Sequence, residues 1–247
     1  MTPALRIGLV TEGPTDQIVL EKLISAYCST MLNEHPGVAF VPLQPNGDRT
    51  SEGGWEQVYK LCLNNLPEAR RGTYFGGGLF ADDLDALQCD VILVHLDSDI
   101  CHQFRDKSPI VPVPSSTSPP AERGDFVRRT ILAWLWPSGS VADDKHIAAP
   151  AVEATETWLV AGLCDDSDVE CLTTPAVLRR LAELHHAAKG RPCPPDAKQI
   201  RKHAPNYQPL SLSAAHNISA IIERCDHFRM LVTALFAQPL PHEGEGA

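Results

Sequence analysis

The chain has 247 residues, enough to bury a proper core. Its 31 Asp and Glu against 21 Lys and Arg leave a net charge of −10, which argues against a protein that coats nucleic acid nonspecifically. No apolar run approaches 18 residues, so no membrane-spanning helix is expected, and because the start MTPALRIGLV lacks the basic and long apolar regions of a signal peptide, a cytoplasmic location is expected. The eight cysteines are scattered without a CxxC pair and the ten histidines include no HExxH, so free thiols are expected rather than zinc ligation.

In chain order, Leu5 to Val10 reads as a short strand, TEGPTD as a tight turn, and the following segment as a helix in which Ile18, Val19, Leu23, Ile24 and Tyr27 recur at helical spacing. Pro14 suits the helix start, and Thr15 and Asp16 supply polar groups for the first-turn amides. Glu12 is left without a capping duty, at the end of a first strand. Val38 to Leu43 predicts a second strand, followed by the polar loop QPNGDRTSEGGW, a helix over Glu56 to Leu66 and a second loop, ARRGTYFGGG. The run Gly76, Gly77, Gly78 lacks the phosphate-loop pattern, and Arg70 with Arg71 reads as a solvated pair.

The stretch VILVHLDSDI, from Val91 to Ile100, is the most informative. Five of the six residues Val91 to Leu96 are apolar, as in a strand buried on both faces of a parallel sheet, and it runs into Asp97 and Asp99. In open α/β sheets ligands bind at that C-terminal edge, and alternation puts His95, Asp97 and Asp99 on one side. Two carboxylates so placed either stay solvated, share a proton or recruit a hard cation such as Mg²⁺ or Mn²⁺. His102 follows just beyond; a packed or solvated histidine is the ordinary case for both histidines.

Next, CHQFRDKSPIVPVPSSTSPP predicts a loop beside the site, and Phe126 to Trp136 an amphipathic helix. His146 to Ala149 can form another strand. Pro150 then opens a helix, AVEATETWLVAGL, with Glu153 and Glu156 at i and i+3 on one side: either acidic residues comfortable near a helix N-terminus or additional metal ligands. From Thr174 the chain is helical, with one or two terminal helices after a proline-rich break. Lys198, Arg201, Lys202 and His203 form the densest cationic cluster, with Arg179, Arg180, Lys189 and Arg191 upstream. A charged helix face is the plain reading; folded back over the carboxylates, the cluster would serve a polyanionic substrate. The tail, residues 241–247, is expected to be disordered.

A strand ending in Glu12 and Gly13, a helix, and a later apolar strand ending in Asp97 and Asp99 resembles the Toprim domain. TEGPTD, LVHLDSD and AVEATETWLVAG together are similar to small bacterial Toprim-like proteins close to the OLD nucleases. The resemblance covers residues 5–165 in motif order and implies an α/β, Rossmann-like, mostly parallel sheet flanked by helices, with an insertion at about 44–88 and a C-terminal helical segment over 166–240. It implies a metal-dependent nuclease in which Glu12, Asp97 and Asp99 are catalytic and bind Mg²⁺ or Mn²⁺, with Glu153 and Glu156 as further ligands and Lys198, Arg201 and Lys202 on the nucleic acid. Since the chain has no Walker motif, any ATPase partner would be a separate protein, and a role in defence against phage or mobile DNA follows by analogy. Two other readings stand beside it. One is an inactive Toprim module that binds a partner or nucleic acid; the other is a haloacid-dehalogenase-type phosphatase, suggested by DSDI after a strand but disfavoured because its nucleophile belongs on the first strand.

Overall fold

The computed structural model describes residues 4–32, 37–45, 53–64, 72–75, 88–137, 142–194 and 200–237. The fold is α/β: among the described residues four strands, β1 (Leu5–Val10), β2 (Val38–Gln44), β3 (Val91–Asp97) and β4 (His146–Ala151), form one sheet in the order β2-β1-β3-β4. Every pairing is parallel. β3 is buried along its whole length, as its near-continuous apolar run requires for a strand with helices on both faces.

Side-chain alternation sends the sheet into two cores. Leu5, Ile7 and Leu9 of β1, Val91 and Leu93 of β3 and Ile147 and Ala149 of β4 pack on one face, with α1 (Pro14–Met31), α4 (Glu156–Leu163), α5 (Thr174–Ala188), α6 (Ala204–Ala215), α7 (Ile218–Arg224) and α8 (Asp226–Phe236). Val10, Ile92, Val94 and Leu96 point to the other face, toward α2 (Trp55–Asn64) and α3 (Pro120–Leu135). The C-terminal helices belong to the first core: Tyr27 of α1 stacks on Phe236 of α8 with ring centroids 5.3 Å apart. Among the described residues no helix is long and apolar enough to cross a membrane, and all eight cysteines are free thiols.

Several boundaries differ from the sequence reading. α3 starts at Pro120, six residues before the expected Phe126, because proline at a first helical position needs no amide partner. The C-terminal run is three helices rather than one or two. The largest correction concerns Pro150 and Glu153. Pro150 does not open a helix but lies within β4; odd-numbered residues carry the hydrogen bonds to β3, so its missing N–H falls on the outer edge of the sheet. The helix begins only at Glu156, and Glu153 precedes it with a φ of 62°, outside helical space. Glu153 and Glu156 therefore do not share a helix face. Residues 46–52 of the polar loop, the Gly-rich run of the expected insertion, Arg70, Arg71, Lys198 and the tail lie outside the described residues.

Gly162 fixes the approach of α4 to α6. A Cβ there would sit 2.7 Å from the Ala214 carbonyl oxygen and 3.0 Å from its Cα, both backbone atoms that cannot swing aside. Gly162→Ala is therefore expected to destabilise the fold by about 1–3 kcal/mol, read as a shifted urea midpoint. An unchanged midpoint would show that the two helices separate freely.

Candidate acidic site

β1 and β3 are neighbours, so their C-terminal ends bring Glu12 and Asp97 together although 85 residues separate them. The Asp97 amide donates to Glu12 Oε1 at 3.0 Å. The loop before α2 closes over the same point, where the Gly54 amide donates to the Glu12 carbonyl at 2.7 Å. Asp16 sits one turn into α1 and accepts a 2.9 Å hydrogen bond from the Gly13 amide, which is the capping role expected of it. It also faces the acidic site, a role its capping duty hid. Asp99 lies just past the end of β3, its amide bonded to the Glu153 carbonyl at 3.0 Å.

Asp97 is the ionised member of the group. Its Oδ1 accepts from the Thr155 amide and hydroxyl, both at 2.8 Å, and lies 3.6 Å from His95 Nε2. His95 Nδ1 donates to the Ala149 carbonyl at 2.7 Å and its Nε2 lies 2.7 Å from the Thr155 hydroxyl oxygen. With the hydroxyl proton directed at Asp97, Nε2 is left to donate as well, which is the hydrogen-bond pattern of a protonated ring. Burial opposes both charges, but the His95 contact holds the Asp97 carboxyl below its usual range, and Asp97, then Asp16, hold His95 above its own.

The other carboxyls respond in the opposite sense. Burial, then the charges of Asp97 and Asp16, push Glu12 up to about 9; burial and Asp97 push Asp16 up to about 7; burial and Asp97 push Asp99 up to about 6. A group whose pKa rises on folding favours the folded state while protonated, and that advantage fades as pH climbs through the folded pKa. Glu12, Asp16, Asp99 and His95 all act in this direction. In the presence of a chelator, the melting temperature is accordingly expected to fall as pH rises from about 4 toward 9, with Glu12→Gln flattening the upper part of the decline. A parent and variant with parallel profiles would contradict this charge arrangement.

Glu153 and Glu156 serve different partners. Glu153 is 2% exposed: Oε2 accepts from the Thr174 amide and hydroxyl at 2.8 and 2.9 Å, and Oε1 pairs with Arg123, itself 5% exposed. Its amide donates to Ser98 Oγ at 2.8 Å, and the Ala154 amide bonds back to Val152 across it, a γ-turn that imposes the positive φ. Glu156 is fully buried under Tyr207, whose hydroxyl donates to Oε1, and Lys202, whose Nζ lies 3.2 Å from the same oxygen. Burial opposes the Lys202 charge, but Glu156, Asp97 and Asp16 together hold its pKa above the ordinary value. Residues 200–203 thus do bring a cation back over the carboxylates.

The remaining expected cations are placed elsewhere. Arg201 points to a separate pocket with Lys189 and Arg191, while Arg179 and Arg180 pair with Glu183, and Arg180 also with Asp166. His102 is exposed, with Nδ1 donating to the Asp99 carbonyl at 3.2 Å.

No family model, curated protein or solved structure matches this chain. Its chemistry must therefore be argued from the site itself. Sequence reasoning missed Asp16, Thr155, Arg123 and Tyr207. Only Asp16 left a usable signal: an acid one helical turn after Glu12, at the same sheet edge.

Proposed function

We propose that the chain is a divalent-metal-dependent phosphodiesterase of the Toprim type, acting on DNA or RNA in the cytoplasm. The observation that carries this reading is the placement of Glu12, Asp97, Asp99 and Asp16 about the C-terminal edge of a parallel sheet, near enough that burial and mutual repulsion hold three of the four carboxyls above their ordinary range. A hard divalent cation relieves that repulsion.

The donor set fits such an ion. Among the described residues no group of three or more His, Cys, Asp or Glu side chains is gathered into a ready-made cage. Mg²⁺ does not require one, since it typically takes one or two carboxylates and completes its shell with water and substrate phosphate oxygens. Glu12, whose carboxylate accepts from the Asp97 backbone amide, and the Asp97 carboxylate offer that pair, with Asp99 next along the chain end. Glu153 and Glu156 are the weaker ligands of the proposed set, because Arg123 with Thr174, and Tyr207 with Lys202, already engage them. When bound, the ion would activate water and polarise the phosphoryl oxygen.

The chain's own residues then have distinct tasks. His95 and Thr155 orient Asp97 and keep it ionised, Lys202 draws the phosphodiester toward the acidic edge, and Glu12 holds or moves a proton at its free oxygen. The resemblance adds a separately encoded ATPase as partner and a role in defence against phage or mobile DNA.

Calorimetric titration of Mn²⁺ into the parent and Glu12→Gln proteins, with cleavage of single- and double-stranded DNA and of RNA measured in parallel, tests the assignment. Saturable Mn²⁺ binding with cleavage, and a loss of roughly 10² to 10⁴ fold in cleavage for Glu12→Gln, is the expected result. Mn²⁺ binding without cleavage of any substrate would favour the binding-module reading, and no Mn²⁺ binding would remove the metal altogether.

A further inference from the structure

On the far side of the segment that carries Lys202, a second pocket of 220 Å³ lies between the end of α5 and the start of α6. It is lined by His185, His186, Lys189, Arg191, Arg201 and Asn206, with no acidic side chain among the described lining residues. The local fold builds this collection. Gly190 takes a φ of 63°, which ends α5 in a left-handed turn and folds the chain back so that the Arg191 amide bonds to the His186 carbonyl at 3.1 Å. Arg191 is thereby set beside the last turn of the helix instead of continuing away from it. On the other wall, Asn206 Nδ2 donates to the Arg201 carbonyl at 3.0 Å, pinning the approach to α6.

Arg179 and Arg180 have Glu183, and Lys202 has Glu156, but Lys189, Arg191 and Arg201 have no carboxylate partner among the described residues. Lys189 instead donates to His185 Nε2 at 2.9 Å, which requires that buried imidazole to be neutral, and His186 Nδ1 is buried without a hydrogen-bond partner. Two guanidinium groups and an ammonium around one small space make a receptor for an oxyanion. The volume is below the range of about 300–1,000 Å³ typical of drug-sized ligands, so the pocket suits a single compact group.

We propose that this pocket binds a phosphate group, held by Arg191, Arg201 and Lys189 with His185 and His186 as its floor. The inference does not depend on metal chemistry at the acidic site. Two sources share the chemistry: a phosphate of a nucleic acid strand, or a small phosphorylated molecule. Arg201 and Lys202 are adjacent, with Cα atoms about 3.8 Å apart, yet serve the two sites on either side of one stretch of backbone. A strand phosphate in the pocket would therefore lie near the strand's path to the carboxylates.

The test titrates inorganic phosphate into the full chain at constant ionic strength, following the imidazole NMR signals of His185 and His186, assigned with His185→Gln and His186→Gln. Saturable shifts are expected, absent with chloride and shifted to at least about tenfold higher phosphate concentration in an Arg191→Ala, Arg201→Ala double variant. Both arginines are exposed, so that variant keeps its fold. Asp97→Asn should leave the response intact, which separates this pocket from the acidic site. Preferential binding of a 5′-phosphorylated oligonucleotide over its 5′-hydroxyl twin assigns the phosphate to a strand; equal competition by a mononucleotide and by phosphate assigns it to a small molecule. Shifts that do not saturate, that chloride reproduces, or that survive in the double variant overturn the proposal.

Discussion

Asp97→Asn is expected to keep the fold while weakening Mn²⁺ binding severely and lowering phosphodiester cleavage by roughly 10² to 10⁴ fold, the equivalent of several kcal/mol of lost charge stabilisation. The fold survives because an asparagine carbonyl can still accept from the Thr155 amide and hydroxyl, which hold Asp97 Oδ1 at 2.8 Å. What disappears is the anion. His95 loses its counter-charge, Lys202 loses one of the three carboxylates that hold it charged, and a divalent ion at this edge would lose its strongest ligand. Calorimetry and a cleavage assay on the same preparation check both parts, with circular dichroism as the control for folding. If the variant binds Mn²⁺ as the parent does, the proposed metal site is wrong.

The second large effect is on stability. Arg123→Ala is expected to cost about 3–5 kcal/mol, because it leaves the Glu153 carboxylate buried and unpaired. Glu153 joins three other parts of the molecule: Arg123 on α3, Thr174 at the start of α5, and, through its own backbone, Ser98 and Asp99 beyond β3. Loss of the arginine should therefore move Asp99 as well as lower the urea midpoint. Arg123→Ala, Glu153→Gln and the double variant form a cycle in which the double variant costs less than the sum of the singles. Strict additivity, or a cost of under about 1 kcal/mol for Arg123→Ala, would mean that the pair contributes little.

The parts of this protein that were legible in its sequence are those written in local patterns. β1, α1, β3 and β4 follow from apolar runs and helical spacing, and parallel pairing follows from a strand buried on both faces. The approach of Glu12 to Asp97 and Asp99 follows from strand ends sharing one edge. Arg123 was illegible because it precedes the expected helix start at Phe126, and an arginine at a helix entry looks the same whether it meets solvent or a buried acid. Glu153 was misplaced for a related reason: AVEATETWLV has helical composition throughout, and only contacts with Ser98, Thr174 and Arg123, distant in sequence, hold it in a turn. Tyr207 and Lys202 reach Glu156 across about fifty residues, beyond any periodic signal.

The packing of α1 against α6 and α8 also sets a schedule for folding during synthesis. Tyr27 leaves the ribosome about two hundred residues before Phe236, the ring it stacks on. At translation rates of roughly 5–20 residues per second, that interval is on the order of ten to forty seconds. For most of it, until α6 emerges, the face of α1 carrying Leu20, Leu23 and Ile24 has no C-terminal helices to cover it. The nascent chain can pair β1 with β2 and later β3, but its first core closes only once the last helices emerge. Premature termination anywhere before α6 is expected to leave an exposed apolar helix rather than a smaller working unit.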